Sequence, residues 1–112
     1  MKYLLFGLAL LFSVDFFAQE IELSNKEYEG LQDKLRIKTA TNIDSAFLVA
    51  ERIGYSNNTI HKAFSKGAKS YLYQIKGDST KSINNFNKAI VLINAVPNSG
   101  IKTKTKAYIL NY

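Results

Sequence analysis

Cysteine is absent from the 112 residues, which excludes disulfides, thiolate metal sites, cysteine nucleophiles and a lipid-bearing cysteine together. Histidine occurs once, so no metal site or proton relay can draw on more than one imidazole. That residue, His61, is read as an exposed helix position. The glycines are scattered, and Gly67 and Gly77 are too isolated to form a phosphate-binding loop. The carboxylates between Glu20 and Asp78 show no metal-ligand spacing such as an EF-hand loop. No nucleophile, base and orienting group can be named together, so no catalytic residue, cofactor or metal site is expected and the chain is read as a non-enzyme.

What is present suits one modest globular unit: 46% hydrophobic and 21% charged residues, with a formal charge of +6. The lysines are spread over the chain, and most of the charge is read as solvated surface. The longest apolar run, YLLFGLALLFSV after Lys2, covers about a dozen residues, the size of a signal-peptide core and short for a membrane span. Residues 1–18 are therefore expected to be a signal peptide, cut after Ala18. The rest is then exported to the periplasm or cell envelope.

From there the spacing predicts helices throughout. Ser24 and Glu27 form a capping box flanked by Leu23 and Tyr28, and Tyr28, Leu31, Leu35 and Ile37 make a first buried face. Thr41 or Asn42 caps a second helix with Ile43, Ala46, Phe47, Ala50 and Ile53 inside, closed by Gly54. Ile60, Phe64, Ala68, Tyr71, Leu72 and Ile75 line a third, which ends at Gly77. Asp78 or Ser79 caps a fourth, with Ser82, Ile83, Phe86, Ala89, Ile90 and Ile93 on one face. The loop of residues 95–100 holds Pro97, and a fifth helix starts at Ile101 and carries Ala107, Tyr108 and Ile109.

Residues 36 apart match in character: Tyr28 with Phe64, Leu35 with Tyr71, Ala46 with Ser82, Phe47 with Ile83, Ile53 with Ala89. The stretch from Gly77 and Asp78 through Ser82, Phe86 and Ala89 resembles the second half of a tetratricopeptide (TPR) repeat. The resemblance implies packing roles: Ser82 for close helix approach, Phe86 as a plug toward the next hairpin, Ala89 for a tight contact. Counting back from Gly77 puts Ser70 and Tyr73 on the family's small and tyrosine positions; Ala68 and Tyr71 are favoured here because they share a face with Phe64 and Ile75. The expected fold is all-α, a short TPR-like solenoid of about two and a half repeats over residues 19–112, with hairpins at 24–54 and 58–94 and a further repeat begun at 101–112. About three repeats and a polar cap are usually needed for stability, and Tyr108, Ile109, Leu110 and Tyr112 leave the last helix apolar. The chain is thus expected to be the N-terminal part of a longer protein or a truncated gene product, the alternative being a small five-helix protein whose last helix folds back on the core.

The resemblance implies a scaffold that binds a protein or peptide in a groove lined by the first helices of successive hairpins. Tyr71, Tyr73 and Tyr108 are the aromatic candidates, and Lys66, Lys69, Tyr73 and Lys106 would make the groove positive and suited to an acidic peptide or C-terminal carboxylate. The run Lys102-Thr103-Lys104-Thr105-Lys106 lacks interleaved aromatics, so its lysines are read as pointing to solvent and no nucleic acid is expected. Membrane contact is expected only through an uncleaved leader or a span further along the gene. The alternative reading is the extracytoplasmic sensory part of a histidine kinase or of a helix-turn-helix transcriptional regulator.

Overall fold

A computed structural model describes residues 22–111; the expected leader at 1–18, its cleavage site and Tyr112 lie outside the described residues. Five helices follow one another: α1 (Asn25–Thr41), α2 (Ile43–Gly54), α3 (Thr59–Ile75), α4 (Ser79–Asn94) and α5 (Gly100–Leu110). Among the described residues there is no strand, and no helix is long and apolar enough to cross a membrane.

Each joint has a local chemical cause. Ser24 Oγ accepts the Glu27 N–H and Glu27 Oε1 accepts the Ser24 N–H, both at 3.1 Å, so the predicted capping box starts α1. The Ser24 backbone N–H, and after it the Ser24 hydroxyl, hold the Glu27 carboxyl below its ordinary range. The joint between α1 and α2 is one residue. Asn42 donates its backbone N–H to the Lys38 carbonyl at 2.7 Å and accepts the Ser45 N–H on Oδ1 at 3.2 Å, ending one helix and capping the next. Gly77 has φ of 81°, and bonds from the Asp78 N–H to the Tyr73 carbonyl and from the Gly77 N–H to the Gln74 carbonyl complete a left-handed helix stop. Asp78 and Ser99 then cap α4 and α5 through their side-chain oxygens.

Every helix packs on the next in the chain, and α5 also packs on α3. Helix α3 is the hub, with Ala63, Phe64, Ser65, Gly67, Ala68, Ser70 and Leu72 all buried. One cluster joins Phe64, Ala68 and Leu72 to Tyr28, Leu31 and Leu35 of α1 and to Ala46, Val49, Ala50 and Ile53 of α2. A second joins Ala63 to Ala89 and Ile93 of α4 and Ile109 of α5. Burial of each Leu, Ile or Phe in such sites is worth about 1.5–3 kcal/mol.

Two glycines are placed by proximity to a neighbouring helix. A Cβ on Gly54 would sit 2.6 Å from Ser65 Oγ, and one on Gly67 would sit 2.7 Å from Ile109 Cγ1. Ser65 Oγ donates to the Ala50 carbonyl at 2.6 Å, so α2 and α3 meet through a hydroxyl as well as apolar contact. Between α3 and α4 the bonds are reciprocal: Ser70 Oγ donates to the Ser82 carbonyl and Ser82 Oγ to the Ser70 carbonyl, each at 2.8 Å. The residue opposite Ser82 is thus Ser70, the register counted back from Gly77, and not Ala68, which packs toward α1 and α2.

Several expected positions differ. Ile37 is exposed because it lies two residues past Leu35, about 200° around α1 from the buried face. Ile83 stands exposed at the edge of the α4 face, about 100° from Ser82, and Ile75 is half exposed in the last turn of α3. His61, expected outside, is only 2% exposed. It sits about 60° around α3 from Phe64, on the core side. Its ring stacks on Tyr28 with centroids 4.0 Å apart, and Nδ1 lies 2.8 Å from Ser56 Oγ. Ser56 Oγ already accepts the Leu23 N–H at 3.2 Å and the Asn58 N–H at 3.3 Å. Its own proton therefore goes to His61 Nδ1, and the neutral ring carries its hydrogen on Nε2. Burial holds the His61 pKa below its ordinary value, opposed by the Glu22 carboxylate.

Candidate functional site

Between α1 and α5 runs a groove whose floor is aromatic. The Phe64 ring stacks on Tyr108 at 4.3 Å, meets Tyr28 edge-on at 5.6 Å, and Tyr28 continues to His61. Four rings from α1, α3 and α5 thus form one column. The α1 wall carries Asn25, Glu29 and Gln32, continuing to Asp33 and Arg36, an exposed ion pair of 3.0 Å. The α5 wall carries Ile101, Lys104 and Tyr108.

At the deep end Tyr28 OH approaches Thr105 Oγ1 at 3.5 Å, the limit of a hydrogen bond, and ties α1 to α5 across 77 residues. Burial pushes the Tyr28 phenol up to about 12, with Thr105 opposing, so it stays neutral through the physiological range. Phe64 and Tyr28 are buried, so Tyr108 is the floor ring with exposed surface, and the walls bearing Glu29 on one side and Lys104 on the other set opposite charges across it. Among the described residues no group of three His, Asp or Glu side chains is placed to hold a metal ion.

The residues expected to make a groove positive do not line this one. Lys69 forms an ion pair with Glu51 of α2, and Lys66 lies beside it in a separate hollow. Tyr73 packs its ring on Phe47 of α2 at 4.8 Å, with Lys81 Nζ 5.5 Å from its centroid. Lys106 Nζ donates to Asn94 Oδ1 at 2.9 Å. Lys66, Lys69 and Tyr73 fall about 140–200° around α3 from Phe64, so the face that looks into the groove is the other one.

Of the three aromatic candidates, Tyr108 lines the groove, while Tyr71 and Tyr73 are not among its lining residues. The lysine run on α5 also divides. Lys102 Nζ donates to the Val96 carbonyl at 2.8 Å, and Lys106 reaches Asn94, so both tie α5 to the preceding turn and helix; Lys104 stays exposed on the groove wall. Tyr28 and Phe64, paired 36 residues apart and expected as core, are buried as expected, and it is their neighbour Tyr108 that reaches the groove surface. No family model matches the chain, and neither does any curated protein or any solved structure.

Proposed function

We propose that the chain is a non-catalytic, TPR-like scaffold, exported to the periplasm or cell envelope, that binds an extended peptide of a partner protein in the groove between α1 and α5. The observation that carries this reading is the groove between a wall with Glu29 and a wall with Lys104, where Tyr108 is partly exposed and is backed by the buried rings of Phe64 and Tyr28. A ring held in place by buried neighbours supplies contact area at low conformational cost, and opposed charges fix the direction of a bound chain. The Gly77–Asp78 turn, the Ser70–Ser82 contact and buried Ala89 support the repeat reading.

The test is selection of peptides from a displayed random library on the full chain, followed by affinity measurement on Lys104→Glu and Glu29→Lys, two exposed positions whose reversal leaves the core intact. Selected peptides are expected to lose about tenfold or more in at least one variant, the size of one charge-assisted contact. Peptides that bind both variants as tightly as the parent chain would place recognition elsewhere and end this reading.

A further inference from the structure

Away from the groove, α3 carries Lys62, Lys66 and Lys69 at i, i+4 and i+7, on one face. They line a hollow completed by Glu51, Gly54 and Tyr55 at the end of α2 and by Leu92 of α4. Two of the three ammonium groups are already used. Lys69 is paired with Glu51 and its side chain is largely covered, and Lys62 Nζ donates to the Gly54 carbonyl at 3.0 Å, offsetting the negative end of α2. Ser65 is also engaged, through its bond to the Ala50 carbonyl.

Lys66 differs from its neighbours. Among the described residues it makes no ion pair within 4 Å, and the charges acting on it are Lys69, Lys88 and Lys62 against Glu51 alone. That one carboxylate is already spent on Lys69. Burial, then the neighbouring lysines, hold the Lys66 pKa below the ordinary lysine range, the signature of a cation short of counter-charge. An anion seated against Lys66 would relieve the repulsion from three sides at once.

We propose that the hollow between the end of α2 and the middle of α3 is an oxyanion site in which Lys66 is the principal ligand and Lys62 and Lys69 flank it. It takes a carboxylate or phosphate group, either free or carried on a peptide. The site is independent of the α1–α5 groove, and peptide recognition there can fail without affecting it.

The experiment follows the lysine side-chain resonances of the full chain by NMR while inorganic phosphate, or separately an acetylated tetraglutamate peptide, replaces chloride at matched ionic strength. Saturable shifts at Lys62, Lys66 and Lys69, with Lys104 unmoved and the Lys66 pKa raised, are the expected result. Lys66→Gln, checked for an unchanged helical spectrum, should weaken binding about tenfold. Phosphate binding alone identifies a free anion, and tighter binding of the peptide identifies an acidic chain. Shifts that never saturate with either probe, or an affinity unchanged in Lys66→Gln, would overturn the assignment.

Discussion

Toward α1 and α2, helix α3 presents Phe64, Ala68 and Leu72 to a cluster holding Tyr28, Val49, Ala50 and Ile53; toward α4 and α5 it presents Ala63, Gly67 and Ser70 to Ala89, Ile109 and Ser82. The first side is filled chiefly by volume, with one close approach where Gly54 meets Ser65, and the second is closed chiefly by proximity. One helix thus uses both ways of making an interface, and the two sides should respond to opposite kinds of change. Removing atoms should hurt the first, and adding atoms should hurt the second.

The largest effect expected is from Phe64→Ala, which empties a fully buried site and takes the stacking partner from Tyr108. A loss of about 3–5 kcal/mol in denaturant unfolding is expected. This is a large share of the about 5–15 kcal/mol available to a domain. A loss under about 1 kcal/mol would mean that volume does not control that side.

Gly67→Ala comes next, since its Cβ would meet Ile109 Cγ1 at 2.7 Å. Overpacking costs about 1–3 kcal/mol and the gain in helix propensity returns about 1. The same substitution in an Ile109→Ala background should be neutral or stabilising. If it costs as much there, proximity of α3 to α5 is not the cause.

Smaller still is the hydroxyl exchange between α3 and α4. Ser70→Ala and Ser82→Ala should each cost about 0.5–1.5 kcal/mol, and the double variant less than their sum, because the two oxygens also lie 3.3 Å from each other. Strict additivity in a double-mutant cycle would show that the two bonds act separately.

The smallest effect is with pH and belongs to the volume side. The folded His61 has a pKa below that of the unfolded chain, so in the interval between them the unfolded chain binds more protons. The contribution to stability is present above about 6.5 and is lost as pH falls through that value toward the folded pKa. Glu22 and Tyr28 are the titratable groups beside the ring, and the raised phenol of Tyr28 keeps it out of this range. Unfolding midpoints measured either side of that pH should separate, and His61→Gln should bring them together. An unchanged pH dependence in the variant would assign the effect to other groups.

The helices were legible because their start and stop signals are local: the Ser24–Glu27 box, Asn42, Gly77 with Asp78, and Ser99 act within a few residues of themselves. The large core residues Tyr28, Leu31, Leu35, Phe64 and Leu72 were legible by spacing. The small ones on α3 were not. Ala63, Gly67, Ser65 and Ser70 look like surface in an amphipathic pattern, and only contact with α2, α4 and α5 together buries them. The direction of the polar side chains on α3 was hidden by the same cause. A helix covered nearly all round has no single outward stripe, so periodicity could not decide which way Lys66, Lys69 and Tyr73 point. His61 was misplaced by residue type when its position, three before Phe64, already put it on the core side.

The bond between Tyr28 and Thr105 sets an order of assembly. The strongly packed helix pairs are neighbours in sequence or one helix apart, and closing such short loops costs little chain entropy, so the hub and its adjacent helices should form early and fast. Joining α1 to α5 brings together residues 77 positions apart through one marginal bond at 3.5 Å. The groove therefore closes last and opens first. In hydrogen exchange the amides of α5 should open before those of α3, a local opening that widens the groove and leaves the rest folded.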